Sequence, residues 1–136
     1  MLFGKQKRTV VLHVDDEPDI RGLIYAALTP MGIEVKSAVD GPSGLEMAIK
    51  EKPDLILLDV RMPGMDGFAV CGTLRERPEF QNTPIFMITA LSQVKDIERA
   101  VSQGATGYII KPIDISKLRH KVIEILGKPP GAATAG

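Results

Sequence analysis

Apolar residues in this chain fall into short bursts separated by longer stretches where they recur about every three to four positions. The bursts at Thr9–Val14, Ile33–Ala38, Asp54–Val60, Pro84–Thr89 and Gly107–Ile110 are strand-sized, and most are continuous rather than alternating. Continuous apolar strands are those covered on both faces. Helical spacing is clearest at Ile20, Leu23, Ile24, Ala27 and Leu28, and returns at Ile115, Leu118, Val122, Ile125 and Leu126. Weaker helical patterns occupy Ser43–Lys50, Phe68–Arg75 and Val94–Val101, with Gly72 a small helix penalty in the second of these. Pro18, Asp40, Ser92 and Asp114 stand where a helix start needs a fixed φ or a side-chain acceptor for free N–H groups.

Regular alternation of strand and helix predicts five βα units forming an α/β fold, an open, doubly wound parallel sheet with right-handed crossovers. In such sheets, ligands bind at the carboxyl ends of the strands. Residues 1–8 read as an N-terminal extension and 127–136, rich in Pro, Gly and Ala, as a flexible tail or linker, leaving one domain over residues 9–126.

Composition narrows the function. The 136 residues include 17 Lys plus Arg and 17 Asp plus Glu, so no net positive field attracts nucleic acid or an anionic membrane without specific contacts. Neither is expected as a direct partner. The basic start, with Lys5, Lys7 and Arg8, is not followed by an apolar run of signal-peptide length, and a cytoplasmic location is expected. Cys71, a single cysteine, fits a reducing compartment and reads as a small packing residue.

At the carboxyl edge, the predicted strands deliver Asp15 and Asp16 after the first, Asp59 at the third, Thr89 at the fourth and Lys111 at the fifth. If the first and third strands are neighbours, three carboxylates converge, and each pair at 4 Å repels by roughly 4 kcal/mol at an effective dielectric of 20. A cation must offset that repulsion. Oxygen-only ligands favour a hard divalent ion, magnesium over zinc or copper. Taken singly, Asp15, Asp16 and Glu17 also fit an acidic start to the first helix, Thr89 a strand residue and Lys111 an exposed lysine. Asp59 is harder to explain structurally, because it ends an apolar strand. His13 lies within the first apolar strand and reads as a satisfied, partly buried imidazole, and His120 as exposed. No glycine-rich phosphate loop and no serine–histidine–acid set is placed at this edge.

The segments Val11–Pro18 (VLHVDDEP), Leu57–Gly67 (LLDVRMPGMDG), Ile88–Ala90 (ITA) and Gly107–Pro112 (GYIIKP), in this order and spacing, resemble the signature segments of response-regulator receiver domains. The resemblance runs from about Thr9 to Leu126. It implies a flavodoxin-like (βα)5 sheet of strand order 2-1-3-4-5, as in the family's chemotaxis member. It also implies that Asp59 accepts a phosphoryl group from a partner histidine kinase or histidine phosphotransfer protein, with Mg2+ as cofactor. Asp16, Asp59 and the backbone carbonyl of Arg61 would ligate that ion, and Asp15 would act beside them largely through water. Thr89 and Lys111 would each hold a phosphoryl oxygen, the Lys111–Pro112 bond would be cis, and Tyr108 would be the switch aromatic that turns inward on activation. The helix over Ser92–Gln103, the last strand and the last helix would form the surface that binds a downstream output protein or domain, or a second copy in a phosphorylation-dependent homodimer. Such a domain catalyses its own phosphorylation and dephosphorylation, as a switch rather than a turnover enzyme.

Arg61 and Leu91 occupy the positions that set phosphoryl lifetime in that family, and neither residue fixes it here. Nothing after Leu126 resembles an output domain. Two other classes use similar parts. A magnesium-dependent phosphohydrolase with an aspartate nucleophile usually needs a second acid two residues on, where this chain has Arg61. An adaptor that uses the fold only for binding would not need the five site residues.

Overall fold

The computed structural model describes residues 8–90 and 94–127. Five strands, β1 (Val10–Val14), β2 (Glu34–Ala38), β3 (Leu55–Asp59), β4 (Ile85–Thr89) and β5 (Gly107–Ile110), alternate with five helices. The helices are α1 (Pro18–Leu28), α2 (Gly41–Glu51), α3 (Gly67–Arg75), α4 (Val94–Ser102) and α5 (Ile115–Leu126). All strands are parallel in the order β2-β1-β3-β4-β5, the order that the resemblance implies, with β1 and β3 adjacent.

Each face of the sheet has its own core. Leu12, Val14, Ile56 and Leu58 pack with Ala48, Val70, Leu74 and Ala100 on the side of α2, α3 and α4. Val11, Leu55, Leu57 and Ile88 pack with Ile24, Ala27, Leu28, Leu118 and Val122 on the side of α1 and α5. Strands β1, β3 and β4 are buried along their whole length, which accounts for their unbroken apolar runs. Edge strands behave differently. In β5 the expectation of cover on both faces fails, since Tyr108 and Ile110 remain 38 % and 44 % exposed beside half-buried Gly107 and Ile109. Having β4 as its single neighbour, β5 turns one set of side chains outward.

Helix starts follow the expected chemistry. Pro18 opens α1 at its first turn, where a missing N–H costs nothing. Asp40 accepts from the Ser43 N–H at 2.9 Å in a reciprocal capping box, and Asp114 accepts from the Lys117 N–H at 3.0 Å. Ser92, the expected start of the fourth helix, lies outside the described residues, as do Leu91 and most of both terminal segments, 1–7 and 128–136. Asp66 caps α3 by accepting from the Ala69 N–H, a role that the apolar spacing does not mark.

One arginine closes the end of the sheet opposite the candidate site. Arg75 donates to the carbonyls of Gly104, Phe80 and Thr83 and to the Thr106 hydroxyl, tying α3 to the loops entering β4 and β5. The Thr106 hydroxyl in turn accepts from the Ile85 N–H at 3.0 Å. Hydrogen bonds from a charged donor contribute more than neutral ones. Arg75→Met, which keeps the aliphatic stem, is therefore expected to lower unfolding free energy by about 2–3 kcal/mol in urea denaturation. A loss below about 0.5 kcal/mol would show that water replaces these bonds without cost.

Candidate functional site

The carboxyl edge of β1 and β3 brings the predicted acids together. Each of Asp15, Asp16 and Asp59 offers one carboxylate oxygen, and the three oxygens lie within 4.8 Å of one another, the single such group of metal-ligating side chains among the described residues. Asp15 and Asp59 are buried and Asp16 is exposed. Two unit charges 4.8 Å apart repel by about 3–4 kcal/mol at an effective dielectric of 20. Lys111, at the end of β5, answers part of that charge: its Nζ donates to Asp59 Oδ1 at 3.1 Å. The Lys111–Pro112 peptide bond is cis.

Local structure explains why these side chains face one pocket. The ladder continues past β1, with the Asp15 N–H donating to the Ala38 carbonyl at 3.0 Å, so Asp15 stays extended before the chain turns into α1. The Asp15 carbonyl is held by Arg21 at 2.9 Å, and its Oδ1 accepts from the Glu17 N–H at 2.9 Å. Beside Asp59, α3 approaches so closely that a Cβ on Gly67 would lie 2.3 Å from the Asp59 carbonyl oxygen. Only a glycine fits there. The Gly67 N–H donates to the Val60 carbonyl at 3.0 Å and closes the loop that carries Arg61.

Electrostatics single out Asp59. Burial, reinforced by the charges of Asp15 and Asp16, raises its pKa, and the hydrogen bond from Lys111 only partly opposes this. For Asp15, burial pulls upward too, but contact with His13 and the bond from the Glu17 N–H outweigh it and hold the carboxyl below its ordinary value. Burial works against the Lys111 charge, yet its bond to Asp59 and the surrounding acids raise its pKa, so it remains an ammonium.

Thr89 ends β4, buried, with its carbonyl accepting from the Lys111 N–H at 2.8 Å. Tyr108 points outward, and a void of about 10 Å3 separates it from Thr89, lined also by Val60, Met87, Ile97 and Ala100. Arg61 is exposed on the rim of a groove of about 410 Å3 with Met62, Pro63, Asp66 and Asp96. Across that groove Arg99 of α4 sits 4.3 Å from the Phe68 ring centre and 3.7 Å from Asp66, linking α4 to α3.

His13 departs from expectation. It is fully buried, not partly, and neither ring nitrogen makes a hydrogen bond among the described residues. Its Nε2 stands 3.4 Å from Asp15 Oδ2, an ion-pair distance that falls short of a formed hydrogen bond, and that oxygen is equally unpartnered. A buried polar group left so costs about 1–3 kcal/mol. His120 is exposed and Cys71 buried, its thiol pushed up in pKa by burial, as a packing residue should be.

The family model for the response regulator receiver domain matches residues 11–123. The chain belongs to that family. Among curated relatives of this receiver domain, the response regulator PleD of Caulobacter vibrioides is 47 % identical over 105 residues, 76 % of this chain and 23 % of that protein. The DNA-binding dual master transcriptional regulator RpaA of Synechocystis is 38 % identical over 116 residues, 85 % of this chain and 48 % of its own length. The receiver thus spans about half, or less, of those relatives. The chemotaxis protein CheY4 of Vibrio cholerae superposes with a TM-score of 0.84 at 33 % identity, covering 88 % of this chain and all of that one. No helix among the described residues is long and apolar enough to cross a membrane.

Because Asp59 has a raised pKa, its ionisation works against folding. The stability present with the neutral acid, below the unfolded-state pKa near 4, is lost as pH rises through the higher folded value. In the presence of a chelator, Asp59→Asn is accordingly expected to raise unfolding free energy at pH 7 by about 1 kcal/mol, with the gain vanishing toward pH 4. Thermal melts across that range test this, and a variant less stable than the parent at pH 7 contradicts it.

Proposed function

We propose that this receiver domain, residues 9–126, accepts a phosphoryl group on Asp59 from a phosphohistidine on a partner histidine kinase or phosphotransfer protein, in a magnesium-dependent reaction that changes its output surface. The observation that carries this reading is the convergence on one strand edge of three carboxylates and a lysine bonded to the central one. The donor set suits magnesium: each of the three carboxylates offers a hard oxygen to the cluster, and two of the three, Asp15 and Asp59, are buried. Magnesium–oxygen bonds of about 2.0–2.1 Å put opposite ligands about 4.2 Å apart, so oxygens within 4.8 Å need little movement to share one ion. Asp16 and Asp59, with the Arg61 carbonyl, would hold the ion, and Asp15 would support them through water. When bound, the ion neutralises charge on the transferring group.

The remaining chemistry belongs to the chain. An Asp59 oxygen forms the new P–O bond as the P–N bond to the partner's imidazole breaks, and the imidazole departs with the electron pair. Lys111 releases Asp59 and pairs with a phosphoryl oxygen, which its retained charge permits. Thr89 donates its hydroxyl to another oxygen, drawing β4 toward the site. Tyr108 then moves toward the space Thr89 leaves, altering the surface of α4, β5 and α5, where an output protein or domain or a second copy binds. Hydrolysis of the acyl phosphate resets the switch. A cytoplasmic setting, shared with the donor kinase, belongs to the same reading.

Incubation with acetyl phosphate and magnesium should add one phosphoryl group by intact mass, and Asp59→Asn or a chelator should abolish the addition. Lys111→Met should slow it by about tenfold or more while leaving the fold intact. An unmodified mass, with beryllofluoride also failing to bind, would favour an adaptor; steady turnover of small phosphate esters would favour a hydrolase.

A further inference from the structure

His13 has no part in the chemistry described above, yet it occupies a position where an apolar residue would suffice. Its register neighbours across the sheet are Ser37 and Leu57, and Val11 and Leu57 beside it belong to the apolar core. A fully buried imidazole with two unpartnered nitrogens is an unfavourable choice for packing. Being two residues apart on an extended segment, His13 and Asp15 project to one side. Their unpartnered atoms, Nε2 and Oδ2, lie 3.4 Å apart, at ion-pair distance. Oδ1 of the same carboxylate is already fixed by the Glu17 N–H at 2.9 Å. Asp15 is therefore held at Oδ1 by the α1 entry, with the imidazole facing its other oxygen.

We propose that His13 is a positioning residue for the divalent-cation site: through Nε2 it sets the rotation of the Asp15 carboxylate and thereby the affinity of the acidic pocket for magnesium. The inference rests on the reading of that pocket as a magnesium site. Groups that orient a metal-binding carboxylate from behind typically affect affinity rather than the identity of the bound ion, by about 10–100-fold. His13 itself lies outside the set of oxygens that converge, so it acts through Asp15 and not as a ligand.

Calorimetric titration of the full chain with magnesium tests this directly, without reference to phosphoryl transfer. His13→Val, which suits a buried strand, should weaken magnesium binding by about tenfold, whereas His13→Gln, whose amide N–H reaches the place of Nε2, should stay within about threefold of the parent. In an Asp15→Asn background, His13→Val should produce no further loss. Unfolding measured in chelator confirms that each variant folds. Parental affinity in His13→Val, equal weakening by Val and Gln, or an additive loss in the Asp15→Asn background would each overturn the proposal. A chain that binds magnesium with the expected His13 dependence but takes no phosphoryl group from acetyl phosphate would overturn the phosphoacceptor reading and uphold this one. Failure of the parent to bind magnesium would overturn both.

Discussion

Mutual repulsion among Asp15, Asp16 and Asp59 is the constraint around which this molecule is arranged. Parallel strands β1 and β3 lie side by side, each covered on both faces, and their carboxyl ends carry the acids into one pocket. Burial makes the repulsion worse for Asp59, and the bond from Lys111 offsets it only in part. The pocket is thus left with unbalanced negative charge that a cation can satisfy.

The two ends of the sheet divide the work. At the amino ends, Arg75 fastens α3 to the loops leading into β4 and β5 through backbone carbonyls. At the carboxyl ends, Gly67 lets α3 pack directly against the Asp59 backbone. On the other side Tyr108 and Ile110 of β5 are exposed, and Arg99 links α4 to α3.

Much of this was legible in the chain itself. Unbroken apolar runs gave the buried strands, and a carboxylate ending one of them, Asp59, stood out because burying an acid is costly. The adjacency of β1 and β3 came from resemblance rather than from periodicity, since pattern alone does not order strands. Other features left no trace in residue type. The partners of Arg75 are mostly carbonyls, which every residue possesses, and the role of Gly67 depends on a close approach that exists only after folding. The aspect of β5 was misjudged because a four-residue apolar run looks the same on an edge as in the middle of a sheet. His13 was taken for a contented core histidine; that its nitrogens face an equally unpartnered oxygen depends on side-chain placement.

The void between Thr89 and Tyr108, at about 10 Å3, has room for no more than a single water molecule. The exposed tyrosine therefore meets the threonine across a nearly closed gap, and on the reading proposed above its ring would move inward only as Thr89 shifts.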